Sequence, residues 1–260
     1  RCPYNLTYDS CGIYCAEAIE KVVCRTLMSP REIAAIFVEP IQGEGGYILP
    51  PPEFHQKLKA FAEKNGIIYV VDEVQSGMGR TGKFLAMENF GVEPDVVVLA
   101  KGLASGLPLG AVVSKKKYMT WKAGTHGSTF GGNPLACEAS LVTLDLLENG
   151  LMANAARMGG RLLNKLKKLK KEFPMIGDVR GLGLMIGVEF VRDPETKEPA
   201  AKEAHEIAQQ AFRKGLLLLP CGDSVIRFCP PLVVNAREVD TAVAIFADVL
   251  RNVQKEGRSR

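Results

Sequence analysis

The segments IYVVDEVQ (Ile68–Gln75) and PDVVVLAK (Pro94–Lys101) decide how the rest of this chain is read. Each is a short β-branched apolar run, the pattern of a strand buried in a parallel sheet. Each also ends in polar side chains capable of chemistry: Asp72 and Gln75 after the first run, Lys101 after the second. In an open α/β sheet, ligands collect at the carboxyl ends of the strands. Asp72, Gln75 and Lys101 are therefore expected to converge on one crevice.

Working outward, Ala34–Val38 reads as a further buried strand that ends at Glu39-Pro40, and the Gly-rich turn Gln42–Gly46 follows. Pro50–Pro52 set up the start of a helix that carries Phe54, Leu58 and Phe61 on one face and stops at Gly66. Cys15–Arg25 has helical spacing in Ala16, Ile19, Val22 and Val23, and Gly110–Val113 reads as a strand. Buried strands alternating with helical patterns predict a largely parallel sheet. The loop Lys122–Pro134 is rich in Gly, Ser and Thr, and a long helical region from Leu135 to about Phe173 is broken near Glu148–Gly150. Beyond it, Val179–Val191, Gly215–Leu219 and Val225–Phe228 read as strands, with a helix at Ala201–Lys214. Asn235 and Glu238 form a capping box for a terminal helix, Ala236–Val253. The change of texture predicts a boundary near residue 150, with residues 1–150 in one domain and a smaller α+β domain over 151–260.

A chain of 260 residues has room for one large domain or two modest ones, and 47% hydrophobic against 24% charged residues describes a globular protein with ample core. No apolar run approaches the roughly 20 residues of a membrane span. The formal charge of +4 is mild, and Lys165–Lys171 supply much of it. There Leu163, Leu166, Leu169 and Phe173 alternate with lysines, the pattern of an amphipathic helix with a solvated face; no stacking aromatics interleave to suggest nucleic-acid binding. Cys2, Cys11 and Cys15 lack the C-x2-C spacing of a zinc site, and His55, His126 and His205 lie far from them in sequence. The seven cysteines read as ordinary thiols of a reducing cytoplasm. The chain opens at Arg1 without an initiator Met or signal-peptide pattern, as the middle of a longer protein would.

Gly77-Met78-Gly79-Arg80-Thr81-Gly82 matches G-x-G-x-x-G after a strand, so dinucleotide binding has to be weighed. The glycines begin only after Gln75-Ser76, no apolar helix opens at Gly82, and the next acid near a strand, Asp95, stands at its start. A carboxylate, an amide and a lysine at adjacent strand ends suit a different cofactor, pyridoxal phosphate (PLP). It needs a lysine amine to form an imine, and Lys101, followed by Gly102, has room for it. Its pyridine nitrogen must stay protonated for the ring to draw electrons, a task for a buried carboxylate such as Asp72. Gln75 can reach the ring's phenolic oxygen and Val74 can press on a ring face. The competing reading makes Asp72 and Lys101 strand-end polar groups paired elsewhere.

EPIQGEGG at Glu39–Gly46, VDEVQSGMGRTGKF at Val71–Phe84, AKGLASGLPLGAVV at Ala100–Val113, GSTFGGNPLAC at Gly127–Cys137 and RFCPPL at Arg227–Leu232 occur in this order. Over essentially its whole length the chain resembles the class III, or ω-amino-acid, aminotransferases of the type I PLP fold. That family includes 4-aminobutyrate, ornithine and acetylornithine enzymes and some amino-acid racemases. The resemblance implies an α/β architecture, a partial large domain with a mostly parallel sheet plus a small C-terminal α+β domain. It makes Lys101 the Schiff-base lysine, Asp72 the pyridinium partner and Gln75 the O3′ contact. Thr129, with Ser128 beside it in the GSTFGG loop, would bind the cofactor phosphate from a neighbouring subunit, so a homodimer or higher homo-oligomer is implied. Arg227 would grip a substrate α-carboxylate, Glu44 would neutralise that arginine when an ω-amine is bound, and Glu39 would support this wall; a permanent structural Glu44–Arg227 pair is the alternative.

Family members also carry, upstream of the matched region, a Gly/Ser-rich phosphate turn and an aromatic that stacks on the ring. Neither is visible before Cys2, so the sequence reads as the C-terminal part of such an enzyme. The expected reaction is amino transfer from an ω-amino acid such as 4-aminobutyrate or ornithine to 2-oxoglutarate or a similar keto acid. No metal, nucleic acid or membrane partner is implied. A racemase of the same family and a non-catalytic half of a split enzyme are the alternatives.

Overall fold

A computed structural model describes Cys2 and residues 4–258 of the chain. Two compact units emerge: Arg1–Pro40, Pro50–Met78 and Leu85–Asp145 make up the first, and Ile41–Leu49, Gly79–Phe84 and Leu146–Arg260 the second.

The first unit is built on a four-stranded sheet of β1 (Ala35–Val38), β2 (Ile68–Asp72), β3 (Val96–Leu99) and β4 (Ala111–Ser114), in that spatial order. β1 and β3 both run parallel to β2, and β4 returns antiparallel to β3, so the sheet is mostly parallel as predicted. Helical residues Tyr14–Ala18 (α1) and Cys24–Thr26 (α2) are joined through a π-helical turn, Ile19–Val23, over the predicted helical stretch. Helix α3 (Glu53–Asn65) starts from Pro52 and stops at Gly66, whose left-handed conformation closes its carboxyl end. It buries Leu58, Phe61 and Ala62 in a core that includes the fully buried Tyr69 and Val71 of β2.

Two polar clamps tie α3 down. The Lys59 ammonium lies 2.8 Å from Asp95 Oδ2, which also accepts the Tyr69 N–H at 3.0 Å. Burial pushes the Asp95 carboxyl up, but Lys59, the Tyr69 N–H and Lys115 together hold it below its ordinary value. His55 is fully buried between the Tyr69 hydroxyl and the Pro40 carbonyl, each 2.9 Å from a ring nitrogen.

One expectation for this unit needs correction. Ala34–Val38 was expected to be buried, yet Phe37 is 73% exposed. An apolar run fills a buried strand only where layers cover both faces, and β1 is the edge strand with β2 as its one neighbour. Helix α4 (Pro134–Leu146) closes the unit and likewise exposes Leu135, Leu141 and Val142.

The predicted break near Glu148–Gly150 is a π-helical turn, Leu147–Leu151, with non-helical backbone at Asn149 and Gly150. Helix α5 (Met152–Glu172) then buries Ala155, Met158, Leu162, Leu166 and Leu169, leaving its lysines outside. With α6 (Ala201–Arg213) and α7 (Ala236–Arg258) it shares one apolar core with an antiparallel sheet ordered β5-β6-β8-β7. The strands are β5 (Ile176–Leu182), β6 (Met185–Phe190), β7 (Leu219–Cys221) and β8 (Val225–Phe228). The Asn235–Glu238 capping box is present in both directions: Asn235 Oδ1 accepts the Glu238 N–H at 3.0 Å, and Glu238 Oε2 accepts the Asn235 N–H at 2.8 Å.

Two strand readings shift. Val179–Val191 is a hairpin of β5 and β6 turning at Gly183-Leu184, because each half is long enough to pair with the other. The strand expected at Gly215–Leu219 lies at Leu219–Cys221, where the tight turn into β8 sets the register Cys221↔Val225. The four leucines Leu216–Leu219 are apolar throughout and carry no period to place its start.

Candidate active site

Strand β2 runs out at Asp72, which stands opposite Val98 of its parallel neighbour, and Lys101 follows β3 by two residues. Both residues therefore leave the sheet at the carboxyl ends of adjacent parallel strands. Asp72 Oδ1 accepts the Val74 N–H at 2.9 Å, which tightens the turn after the strand, and its other oxygen has no partner among the described residues. Lys101 is exposed and sits at φ +44°, a left-handed conformation that costs a non-glycine residue about 1 kcal/mol or more. Its ammonium makes no ion pair or hydrogen bond with any described residue.

Val74 and Gln75 are half-buried in the turn that Asp72 opens. The residue that fixes this turn is Glu73, which sequence reasoning passed over. Its buried carboxylate accepts the Ser76 hydroxyl at 2.6 Å and the Met87 N–H at 2.8 Å, while its carbonyl accepts the Gly77 N–H at 2.9 Å. Burial pushes the Glu73 carboxyl up, against these hydrogen bonds. Only its place beside Asp72 marks it in sequence, and a strand sends neighbouring side chains to opposite faces.

Ser128 and Thr129 are exposed in the loop between Met119 and Pro134. The Ser128 hydroxyl accepts the Gly131 N–H at 3.1 Å, and the Thr129 hydroxyl has no partner among the described residues. The fold forms no hydrogen bond from either residue to Asp72 or Lys101.

In the second unit the structure does bring Glu44 and Arg227 together, with Nη1 of Arg227 2.5 Å from Oε1 of Glu44. The pair is lopsided: the Arg227 side chain is 15% exposed and that of Glu44 68%. Nε of Arg227 is buried and has no hydrogen-bond partner among the described residues. A guanidinium with an unused donor keeps hydrogen-bonding capacity for a second, planar acceptor such as a carboxylate.

The G-x-G-x-x-G segment does not build a phosphate turn. The Arg80 guanidinium is buried on the carbonyls of Pro230 (2.5 Å) and Leu184 (3.4 Å). Gly82 lies so close to helix α5 that a Cβ there would meet Ala156 Cβ at 2.8 Å. A short 3-10 turn, Ala86–Phe90, follows rather than a helix opening at Gly82. Gly79 and Gly82 serve close packing within the second unit, and Gly77 serves it against Glu73 and Leu99 of the first.

A mostly parallel sheet with a lysine and an acid at adjacent strand ends, in a chain that also carries an antiparallel α+β unit, has the make-up of a PLP-dependent enzyme of fold type I. Residues 2–250 match the family profile described as aminotransferase class-III, and the chain belongs to that family. It is 39% identical over 260 residues to a leucine/methionine racemase of Thermococcus litoralis, a match covering 99% of this chain and 58% of the relative. It is 46% identical over 218 residues to an acetylornithine aminotransferase of Gloeobacter violaceus, covering 83% of this chain and 52% of the relative. The chain thus spans little more than half the length of these relatives. Among solved structures, an amine transaminase from an uncultivated Pseudomonas species in its PLP-bound form superposes with a TM-score of 0.90 at 33% identity, covering 97% of this chain and 60% of the other.

Class III aminotransferases use PLP. The donor set of this chain fits that cofactor: a lysine and one carboxylate oxygen, neither with a partner among the described residues, at neighbouring strand ends.

Proposed function

We infer that the complete protein transfers an amino group from an ω-amino acid, such as 4-aminobutyrate or ornithine, to 2-oxoglutarate or a similar keto acid. The observation that carries this reading is the Glu44–Arg227 pair with its buried, unused Nε donor. Arg227 binds the α-carboxylate of glutamate or 2-oxoglutarate through its planar fork. Glu44, mostly in solvent, swings back to neutralise Arg227 when the bound substrate presents no carboxylate there.

PLP, when bound, supplies an aldehyde that takes up the amino group and a protonated ring that accepts electron density. Lys101 would hold the cofactor through Nζ. Its amine, when free, would act as the base that takes up the substrate's proton and the acid that gives it back. Asp72 would keep the proton on the ring nitrogen with its unused oxygen. Val74 would press on the ring and Gln75 would bind its phenolic oxygen. Ser128 and Thr129 would give hydroxyls to the phosphate of a neighbouring subunit, which would make the active unit a homodimer or a larger homo-oligomer. All seven cysteines are unpaired, consistent with a reducing, cytoplasmic setting.

A second reading, amino-acid racemisation, is favoured by the likeness to the leucine/methionine racemase along nearly the whole chain. The same lysine would then return the proton to the opposite face of the same carbon. An amino-donor screen with 2-oxoglutarate, read together with chiral analysis of each donor, separates the two. Glutamate formation from an ω-amine without loss of donor chirality elsewhere is the expected result. Racemisation without glutamate formation overturns the transaminase reading.

A further inference from the structure

Two arginines of the second-unit sheet, Arg227 and Arg180, hold the loop that carries Glu44. Arg180 of β5, Gly187 of β6 and Arg227 of β8 are direct cross-strand partners, so they form one row across three strands. Residues paired in this way share a face of the sheet. Both arginines reach the same loop across the central glycine. Arg227 takes the loop's side chain at Glu44, whereas Arg180 takes its backbone: Nη2 donates to the Gly46 carbonyl at 2.7 Å and Nε to that of Tyr47 at 3.0 Å. Nη1 of Arg180 is occupied by Glu189 at 2.5 Å and Asp178 at 3.0 Å.

Gly187 makes the contact possible. A Cβ there would stand 3.0 Å from Tyr47 Cβ and 3.1 Å from Val225 Cγ1, so the loop lies flush on a sheet with no side chain beneath it. Gly46 sits at φ +118°, a conformation open to glycine, and the Glu44 carbonyl accepts the Gly222 N–H at 2.8 Å. The two arginines also differ in kind. Arg180 and Glu189 are 13% and 14% exposed, a paired and enclosed charge, whereas Glu44 stands mostly in solvent and Arg227 has a donor to spare.

We propose that Arg180 is a positioning residue that sets substrate specificity: it fastens the Gly46–Tyr47 backbone to the sheet, so Glu44 leaves and rejoins Arg227 by side-chain rotation while the loop stays in place. The proposal rests on the reading of Glu44–Arg227 as a switch. Without the fastening, Glu44 is no longer delivered to Arg227, and an ω-amine meets an unneutralised guanidinium. Glutamate, which brings its own carboxylate, is far less affected.

The test is the ratio of kcat/KM for the ω-amine found in the donor screen to kcat/KM for L-glutamate, measured on the complete PLP-loaded protein. Arg180→Lys keeps the charge but cannot span both carbonyls, and it is expected to lower the ratio about tenfold, the scale of one lost specificity contact. Glu44→Gln is expected to lower it as far, and the double variant no further than Glu44→Gln alone, since both act through one contact. A residue that served stability alone would depress both substrates together and leave the ratio unmoved. If Arg180→Lys does not fold, Gly187→Ala keeps every arginine bond donor and lifts the loop from below. It should move the ratio in the same direction, and an unchanged ratio there overturns the proposal. A fall with Glu44→Gln and none with Arg180→Lys overturns the role of Arg180 and leaves the switch standing. No fall with Glu44→Gln overturns the switch and, with it, the proposal.

Discussion

Asp72 is bound to its own turn through one oxygen while the other has no partner among the described residues, and this division makes its proposed role testable. In Asp72→Asn the side-chain carbonyl still accepts the Val74 N–H, so the turn survives while the negative charge is lost. Turnover of the complete enzyme should fall by about a hundredfold or more, as when a tuned electrostatic partner is removed, with the urea midpoint little changed. A loss below about threefold would show that Asp72 is only a strand-end acid. Lys101 offers a sharper outcome. It sits in a strained left-handed conformation with no partner among the described residues, a state that gains nothing for folding and suits a reactive amine. Lys101→Ala should abolish turnover while PLP still binds noncovalently, and borohydride should no longer attach the cofactor to the chain. Ordinary turnover by Lys101→Ala would end the mechanism.

At the scale of elements, the packing of α3 on β2 depends on a histidine with no part in the chemistry. The Pro40 carbonyl can only accept, so Nε2 of His55 carries the proton and Nδ1 accepts from the Tyr69 hydroxyl. The ring is neutral in the folded protein, and burial lowers its pKa from the ordinary value of 6.5. The unfolded chain therefore binds a proton below about pH 6.5 that the native state refuses. The His55 contribution is complete above that pH and is lost as pH falls through the window beneath it. His55→Gln retains a donor and an acceptor without the titration. Urea unfolding at pH 7.5 and 5.5 should show the parent losing stability relative to His55→Gln at the lower pH. A parent that gains relative to the variant on acidification would mean that His55 is buried as the cation.

For the whole molecule, the exposed loop around Thr129 bears on assembly. Its hydroxyl has no partner among the described residues, and Phe130 beside it is 76% exposed. If this loop serves a phosphate on a neighbouring subunit, two sites share one two-fold interface. Thr129→Val keeps the shape and removes the hydroxyl, so PLP affinity should fall by about 1.5–3 kcal/mol, one hydrogen bond to a charged group. Cofactor titration of the variant, with light scattering of the parent, measures both parts. A parent that is monomeric and binds PLP tightly, with the variant unchanged, would show that the loop serves its own chain or no cofactor.

What the sequence determined by itself is what short-range physics controls. The β-branched runs at 68–72 and 96–99 are strands because of their own composition, and Asp72 and Lys101 stand at strand ends because those runs stop there. The Asn235–Glu238 cap closes within a single turn, and the stop of α3 needs only Gly66. The pairing of Glu44 with Arg227, 183 residues apart, was legible only through family motifs and not from any local signal. Tertiary structure decided the rest. The exposure of Phe37 depends on which layers cover the sheet, and the start of β7 depends on the turn that follows it. The grouping of Ile41–Leu49 and Gly79–Phe84 with the later unit has no trace in chain order. Arg180 is one arginine among several in the sequence, with no local signal to single it out. Only the registers Arg180↔Gly187 and Gly187↔Arg227 set it in line with its counterpart, because register arises from partners distant along the chain.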